Sequence, residues 1–117
     1  MIKKMYYALI LVCFLSCEAI FLNDLSNNTV VLLAPLNNAQ LDVGNNTFSW
    51  ELLEDAETYQ IQIATPSFAN ANQIVLDSVT SSHMVIHSLT AGNYEWRVKA
   101  LNSEYETPFS TVNFTVK

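Results

Sequence analysis

Glycine and proline are scarce in this 117-residue chain, with two and three copies respectively. The glycines, Gly44 and Gly92, stand alone, so no glycine-rich loop is available to cradle a phosphate. Basic residues are scarce as well: five, against 11 Asp and Glu, for a formal net charge of −6. A nucleic-acid partner requires a basic footprint, and the sequence has none. No long stretch carries a helical stripe of apolar residues, and there is no internal repeat or low-complexity tract. Without a crossover helix, parallel strands have no usual means of connection. No serine or cysteine sits in a recognisable nucleophile setting. Adjacent carboxylates occur in a loop, Glu54-Asp55-Ala56-Glu57, not beside an evident cleft. Enzymatic chemistry and a bound cofactor are therefore not expected.

What is present begins at the N-terminus. Lys3 and Lys4 give a basic start, Met5 to Leu15 an uncharged apolar run, and Ser16 a small residue. That is the layout of a secretory signal peptide. The run is too short to span a bilayer, which needs about 20 apolar residues. The order of apolar run, Leu15, Ser16, Cys17 resembles a bacterial lipoprotein signal, in which cleavage precedes the cysteine and the cysteine then carries the lipid. Phe14 stands where that pattern usually has leucine, with Leu15 next, and Cys13 is the poorer candidate because bulky Val12 precedes it. The resemblance implies residues 1–16 as a lipoprotein signal peptide, Cys17 as a lipid anchor, and the cell envelope as compartment. The membrane is then the outer one in the first instance, in either leaflet. Acylation of Cys17 leaves no thiol for a disulfide, so the fold must stand on its core alone. Removing Lys3 and Lys4 leaves only Arg97, Lys99 and Lys117 as basic residues. Lipid, not charge, would hold so acidic a domain at a membrane.

Residues 17–29 mix polar and apolar residues without a period and are expected to be a tether. From Val30 onward short runs alternate with period two and are broken by Asn, Gly, Pro and Ser, the pattern of strands and turns. The pattern predicts strands at Val30–Ala34, Thr47–Leu52, Thr58–Ala64, Ile74–Asp77, His83–His87, Asn93–Leu101 and Ser110–Val116. Phe48, Trp50 and Leu52 share one face. So do Tyr59, Ile61 and Ile63; Tyr94, Trp96, Val98 and Ala100; and Val112, Phe114 and Val116. Seven such strands, apolar on one side, argue for an all-β, antiparallel sandwich of immunoglobulin-like type.

Particular residues carry a closer resemblance. Phe48-Ser49-Trp50, Tyr59-Gln60-Ile61-Gln62-Ile63, Leu89, and Gly92-Asn93-Tyr94-Glu95-Trp96-Arg97-Val98-Lys99-Ala100 resemble the second, third and sixth strands of fibronectin type III domains. The resemblance covers about Val30 to Val116 and places the domain at residues 30–117. It implies that the Tyr94 hydroxyl reaches back to backbone near the preceding turn, although the gap from Leu89 to Tyr94 is one residue shorter than the common form. The whole chain is similar to small modules of bacterial surface lipoproteins, but such likeness does not by itself define function.

His83 and His87 would share a metal on a helix. On a strand they stand about 13 Å apart at ~3.3 Å per residue, beyond one ion with Zn–N bonds of about 2 Å. No metal is expected there, and the two histidines are expected to face solvent. Three N-x-S/T triplets start at Asn27, Asn45 and Asn113 and read as turns and polar strand face in a bacterial protein. Among the aromatics outside strands, Phe68 is expected at the opposite pole from Tyr105, with Phe109 beside a loop. In this topology the second-to-third and sixth-to-seventh strand loops share a pole. Glu54, Asp55 and Glu57 would then meet Glu104, Tyr105 and Glu106, a candidate binding pole for a basic partner or a hard cation, or else a solvated acidic end. The functional expectation is a non-catalytic envelope lipoprotein whose single sandwich is a protein-binding or structural module. The competing expectation is a carbohydrate-binding accessory of a surface glycan-uptake system.

Overall fold

The computed structural model describes residues 22–117, so the leader 1–16, Cys17 and the first part of the expected tether lie outside the described residues. Eight strands form: β1 (Leu32–Ala34), β2 (Ala39–Leu41), β3 (Gly44–Trp50), β4 (Thr58–Thr65), β5 (Gln73–Thr80), β6 (Met84–Leu89), β7 (Gly92–Leu101) and β8 (Ser110–Val116). They make a three-stranded sheet, β1-β3-β6, and a five-stranded sheet, β2-β8-β7-β4-β5.

The sequence pattern predicts seven strands; the eighth is β2. Pro35 follows β1 and has no N–H to continue the ladder. Asn38 then takes a left-handed φ of 66°, which asparagine tolerates better than most residues. The chain thus crosses to the other sheet, where β2 lies parallel to β8, Ala39 opposite Phe114 and Leu41 opposite Val116. A parallel pair is possible without a crossover helix because the whole sandwich separates its two strands. The crossing is fixed by Asn38 N–H donating to Asn113 O at 2.9 Å and by Asn113 N–H donating to Asn37 Oδ1 at 3.0 Å.

Between the sheets the alternating residues build a common core. Phe48, Trp50, Tyr59, Ile61, Ile63, Leu89, Tyr94, Trp96, Val98, Ala100, Phe114 and Val116 are all buried in it. Phe48 meets Trp96 edge-on at 5.2 Å between ring centroids and Phe114 at 5.6 Å. Tyr94 stacks on Phe114 at 5.3 Å. Such aromatic pairs each add about 0.5–1.5 kcal/mol beyond burial of their area. The Tyr94 hydroxyl reaches back to the preceding turn despite the shortened gap: Tyr94 Oη donates to Thr90 O at 2.8 Å.

Two expectations about facing are corrected. Leu52 lies beyond the end of β3 and is 67% exposed. His87 is half-buried on the same side of β6 as Val85 and Leu89, while Met84 and Ile86 face out, Ile86 being 60% exposed. The run Met84-Val85-Ile86 is apolar on both sides, so alternation could not phase it. The pairing Gly44↔Leu89 through Ser49↔Met84 sets the phase instead. Strand β5 runs past the expected Asp77 to Thr80 in regular pairing with β4, with polar Ser78 and Thr80 half-buried and Val79 facing out, so polarity does not mark its end.

Candidate functional site

The β3–β4 and β7–β8 loops do share one pole. Glu57 N–H donates to Leu101 O at 2.8 Å, and Leu101 bridges to Glu106. Asn102 is the hub. Its Oδ1 accepts from Glu104 N–H at 3.1 Å and Tyr105 N–H at 2.8 Å, which shapes that loop. Its Nδ2 donates to Asn23 O at 3.0 Å and reaches Asp55 O at 3.5 Å. Under the loop, the buried Thr107 hydroxyl accepts from Ala100 N–H at 3.0 Å and donates to Pro108 O at 2.9 Å. Tyr59 Oη accepts from Leu53 N–H at 2.8 Å and fixes the facing loop.

The carboxylates gathered at this pole do not converge. Asp55 Oδ2 accepts from Asn23 Nδ2 at 2.9 Å. Glu106 turns to Lys99, 3.0 Å away. Glu54, Glu57 and Glu104 are exposed and Tyr105 is half-buried. Among the described residues no group of three or more His, Cys, Asp or Glu is placed to hold a metal ion. What the pole holds is the chain's own N-terminal segment. Leu25 is buried, with 1% of its surface exposed. Asn28 N–H closes a turn onto Leu25 O at 2.9 Å. Asp24 Oδ1 accepts from Ser26 N–H at 2.8 Å and from the Ser26 hydroxyl, and these bonds hold its carboxyl below the usual carboxylate range. The described part of the 17–29 segment therefore packs onto the sandwich.

A second arrangement lies on the outer face of the five-stranded sheet. Cross-strand register sets Asp77, Gln62, Arg97 and Thr111 in one row across β5, β4, β7 and β8. The Arg97 Cζ lies over two phenyl rings, 3.9 Å from the Phe68 centroid and 4.2 Å from that of Phe109. Its Nε donates to Gln62 Oε1 at 2.8 Å. Phe68 comes from the β4–β5 loop, pinned by its N–H donating to Glu95 Oε1 at 2.8 Å. Phe109 precedes β8 and also lies under Lys99 Nζ, 4.9 Å from its ring centroid. Lone cation–aromatic contacts of this kind are worth about 0.5–2 kcal/mol each. The sequence pattern places Phe68 and Phe109 in or beside loops and does not join them to Arg97. The signal available was Arg97 on the polar side of β7, but its two partners depend on loop paths that no local pattern encodes.

No family model matches the sequence, and no curated protein matches it significantly. Solved structures do resemble it. The fibronectin(III)-like modules of Clostridium thermocellum CbhA align with a TM-score of 0.57 and 14% identity, over 76% of this chain and 96% of that one. The domain FN3tt aligns with a TM-score of 0.55 and 13% identity, over 77% of this chain and 97% of that one. A β-1,2-glucanase from Parabacteroides distasonis aligns with a TM-score of 0.57 and 19% identity, over 84% of this chain and only 14% of that enzyme. At such identities the likeness establishes the fold: the two described sheets form a fibronectin type III-like sandwich.

Proposed function

We propose that this chain is a non-catalytic, lipid-anchored protein of the bacterial cell envelope whose single sandwich is an interaction module, held with its acidic pole toward the membrane. The observation that carries this reading is the bonding of Asn23 to Asp55 and Asn102, on the β3–β4 and β7–β8 loops, with Leu25 buried two residues on. Asn23 stands six positions after Cys17, a reach of at most about 21 Å at ~3.5 Å per residue. A lipid on Cys17 therefore keeps this pole near the bilayer. Glu54, Asp55, Glu57, Glu104, Tyr105 and Glu106 then act at the membrane side. The short tether, acting against repulsion from anionic headgroups, turns the other surfaces outward. A basic protein partner would have to meet them there, close to the bilayer.

The non-catalytic reading is supported by an interior filled by Phe48, Trp50, Trp96 and Phe114 and by neighbours that are themselves modules. A saccharide partner is the competing reading; a β-1,2-glucanase aligns with this fold over 14% of its own length. The experiment is intact-mass analysis of the protein extracted from membranes of its host. The expected species begins at Cys17 and carries acyl chains. A retained leader, or an unmodified N-terminus elsewhere, overturns the anchor.

A further inference from the structure

We propose that the outer face of the five-stranded sheet, centred on Arg97, is a binding site for a carboxylate-bearing saccharide. The inference rests on the module reading above and names the ligand class of one surface of it.

The argument begins with the guanidinium. Its Cζ lies over the rings of both Phe68 and Phe109, and only Nε is engaged among the described residues, by Gln62 Oε1. The Nη edge has no carboxylate partner among them: the one ion pair on this face joins Lys99 to Glu106. A planar fork held beside two rings, with its Nη edge unpartnered, can donate two parallel hydrogen bonds, which suits a carboxylate lying in the same plane. Gln62 adds to this. Its carbonyl is spent on Arg97, so its amide N–H groups are left as further donors beside the fork. Neither neighbouring acid bonds to the fork: Glu95 accepts from Phe68 N–H and Asp77 from Gln60 Nε2 at 2.9 Å. This face therefore carries a donor-rich spot on an otherwise acidic protein.

The surroundings favour a sugar over an acidic peptide. The site lies in the middle of a sheet, on β7, which is paired on both sides by β4 and β8. Its backbone groups are consumed by those ladders, so an extended peptide would find no main-chain partners there, unlike at a sheet edge. Sugar hydroxyls donate and accept and need only side chains, which the row supplies in Gln62 and Thr111. The two half-buried phenyl rings offer apolar surface for the C–H face of a pyranose. The fork asks for a carboxylate, so a uronic acid fits and a neutral sugar lacks the strongest contact.

The test is calorimetric titration of the full chain with tetragalacturonate, its methyl ester and hexaglutamate. Tetragalacturonate is expected to bind, more weakly as salt rises, and the ester at least about tenfold more weakly, since the charge-assisted pair is lost. Arg97→Lys keeps a charge but loses the fork and should weaken binding by about tenfold, and Arg97→Gln should abolish it. Both variants should melt within a few degrees of the parent; if Arg97→Gln does not fold, Arg97→Lys carries the test. Absence of tetragalacturonate binding, equal binding of the ester, or unchanged binding by a folded Arg97 variant overturns the site. Hexaglutamate binding as tightly as tetragalacturonate overturns the saccharide assignment. None of these results bears on Cys17, whose acylation is read separately by mass.

Discussion

The two poles of the sandwich are tied down by different means. At the N-terminal pole, side-chain amides do the work: Asn102 joins its own loop to Asn23 and to Asp55, and Glu54, Asp55, Glu57, Glu104 and Glu106 crowd the surface around it. At the opposite pole, strand ends and hydroxyls dominate. Lys117 N–H donates to Leu41 O at 3.0 Å, the Tyr94 hydroxyl holds the β6–β7 turn through Thr90 O, and Thr65 Oγ1 donates to Asn93 O at 2.6 Å. Gly44, with φ of 115°, makes the turn into β3 there, where a side chain would be strained. The contrast teaches that the far pole closes the fold, whereas the near pole closes the fold and also seats the segment that leads to Cys17. Among the described residues, it is the near pole that holds the segment leading upstream.

Breaking what the poles share should have the largest effect. Trp96 lies between the sheets, and its Nε1 donates to Pro35 O at 3.0 Å. Trp96→Ala should cost about 3–5 kcal/mol of a total of about 5–15, read as a large drop in the denaturant midpoint with both poles lost together. A loss below about 1 kcal/mol would mean that Trp96 is not core.

Next come the ties of each pole, and they sharpen the comparison. Tyr94→Phe and Asn102→Ala should each cost about 1 kcal/mol. Only Asn102→Ala should also speed proteolysis and amide exchange in residues 22–29. If Tyr94→Phe loosens that segment equally, the division of labour is wrong.

Smaller still is the expected effect of Trp50→Phe. Trp50 Nε1 is buried and has no hydrogen-bond partner among the described residues, so the substitution removes an orphan donor whose burial costs about 1–3 kcal/mol. That gain offsets part of the lost packing, and the variant should melt closer to the parent than Trp96→Phe, which strands the Pro35 carbonyl. A double comparison by calorimetry checks the difference.

The smallest effect is electrostatic. The Asp24 carboxyl is held low by its bonds to Ser26, so the turn it makes is fully supported above the usual carboxylate range and is lost as pH falls through the lowered folded value. An NMR titration should show Asp24 protonating below a free aspartate, with Ser26 N–H shifting in step. Asp24 titrating as a free side chain would remove this tie from the near pole.

Much of this architecture is legible in the sequence, for physical reasons. Tyr94, Trp96, Val98 and Ala100 alternate with Glu95, Arg97 and Lys99 because a half-buried strand must separate its faces, and that period gives β7 and its inward residues directly. Strand β2 is not legible, since three residues carry too little period and their partner, β8, is remote in the chain. His87 turns inward because pairing with β3, not local polarity, phases β6. Phe68, Arg97 and Phe109 meet only because register aligns β4, β7 and β8 and brings two loops over the same strand. The sharing of a pole by Asp55 and Asn102 follows from topology, but the docking of Asn23 and Leu25 on it does not, because residues 17–29 show no period of their own.

The arrangement at the membrane is tested most directly by depth. A fluorophore is placed through Glu104→Cys or Ala69→Cys on the acylated protein in vesicles carrying a headgroup quencher. The poles are separated by about 30 Å at ~3.3 Å per strand residue, so the two labels should differ clearly. The expected result is strong quenching at position 104 and little at position 69. Equal quenching, or stronger quenching at position 69, would contradict an anchor that holds the acidic pole toward the bilayer.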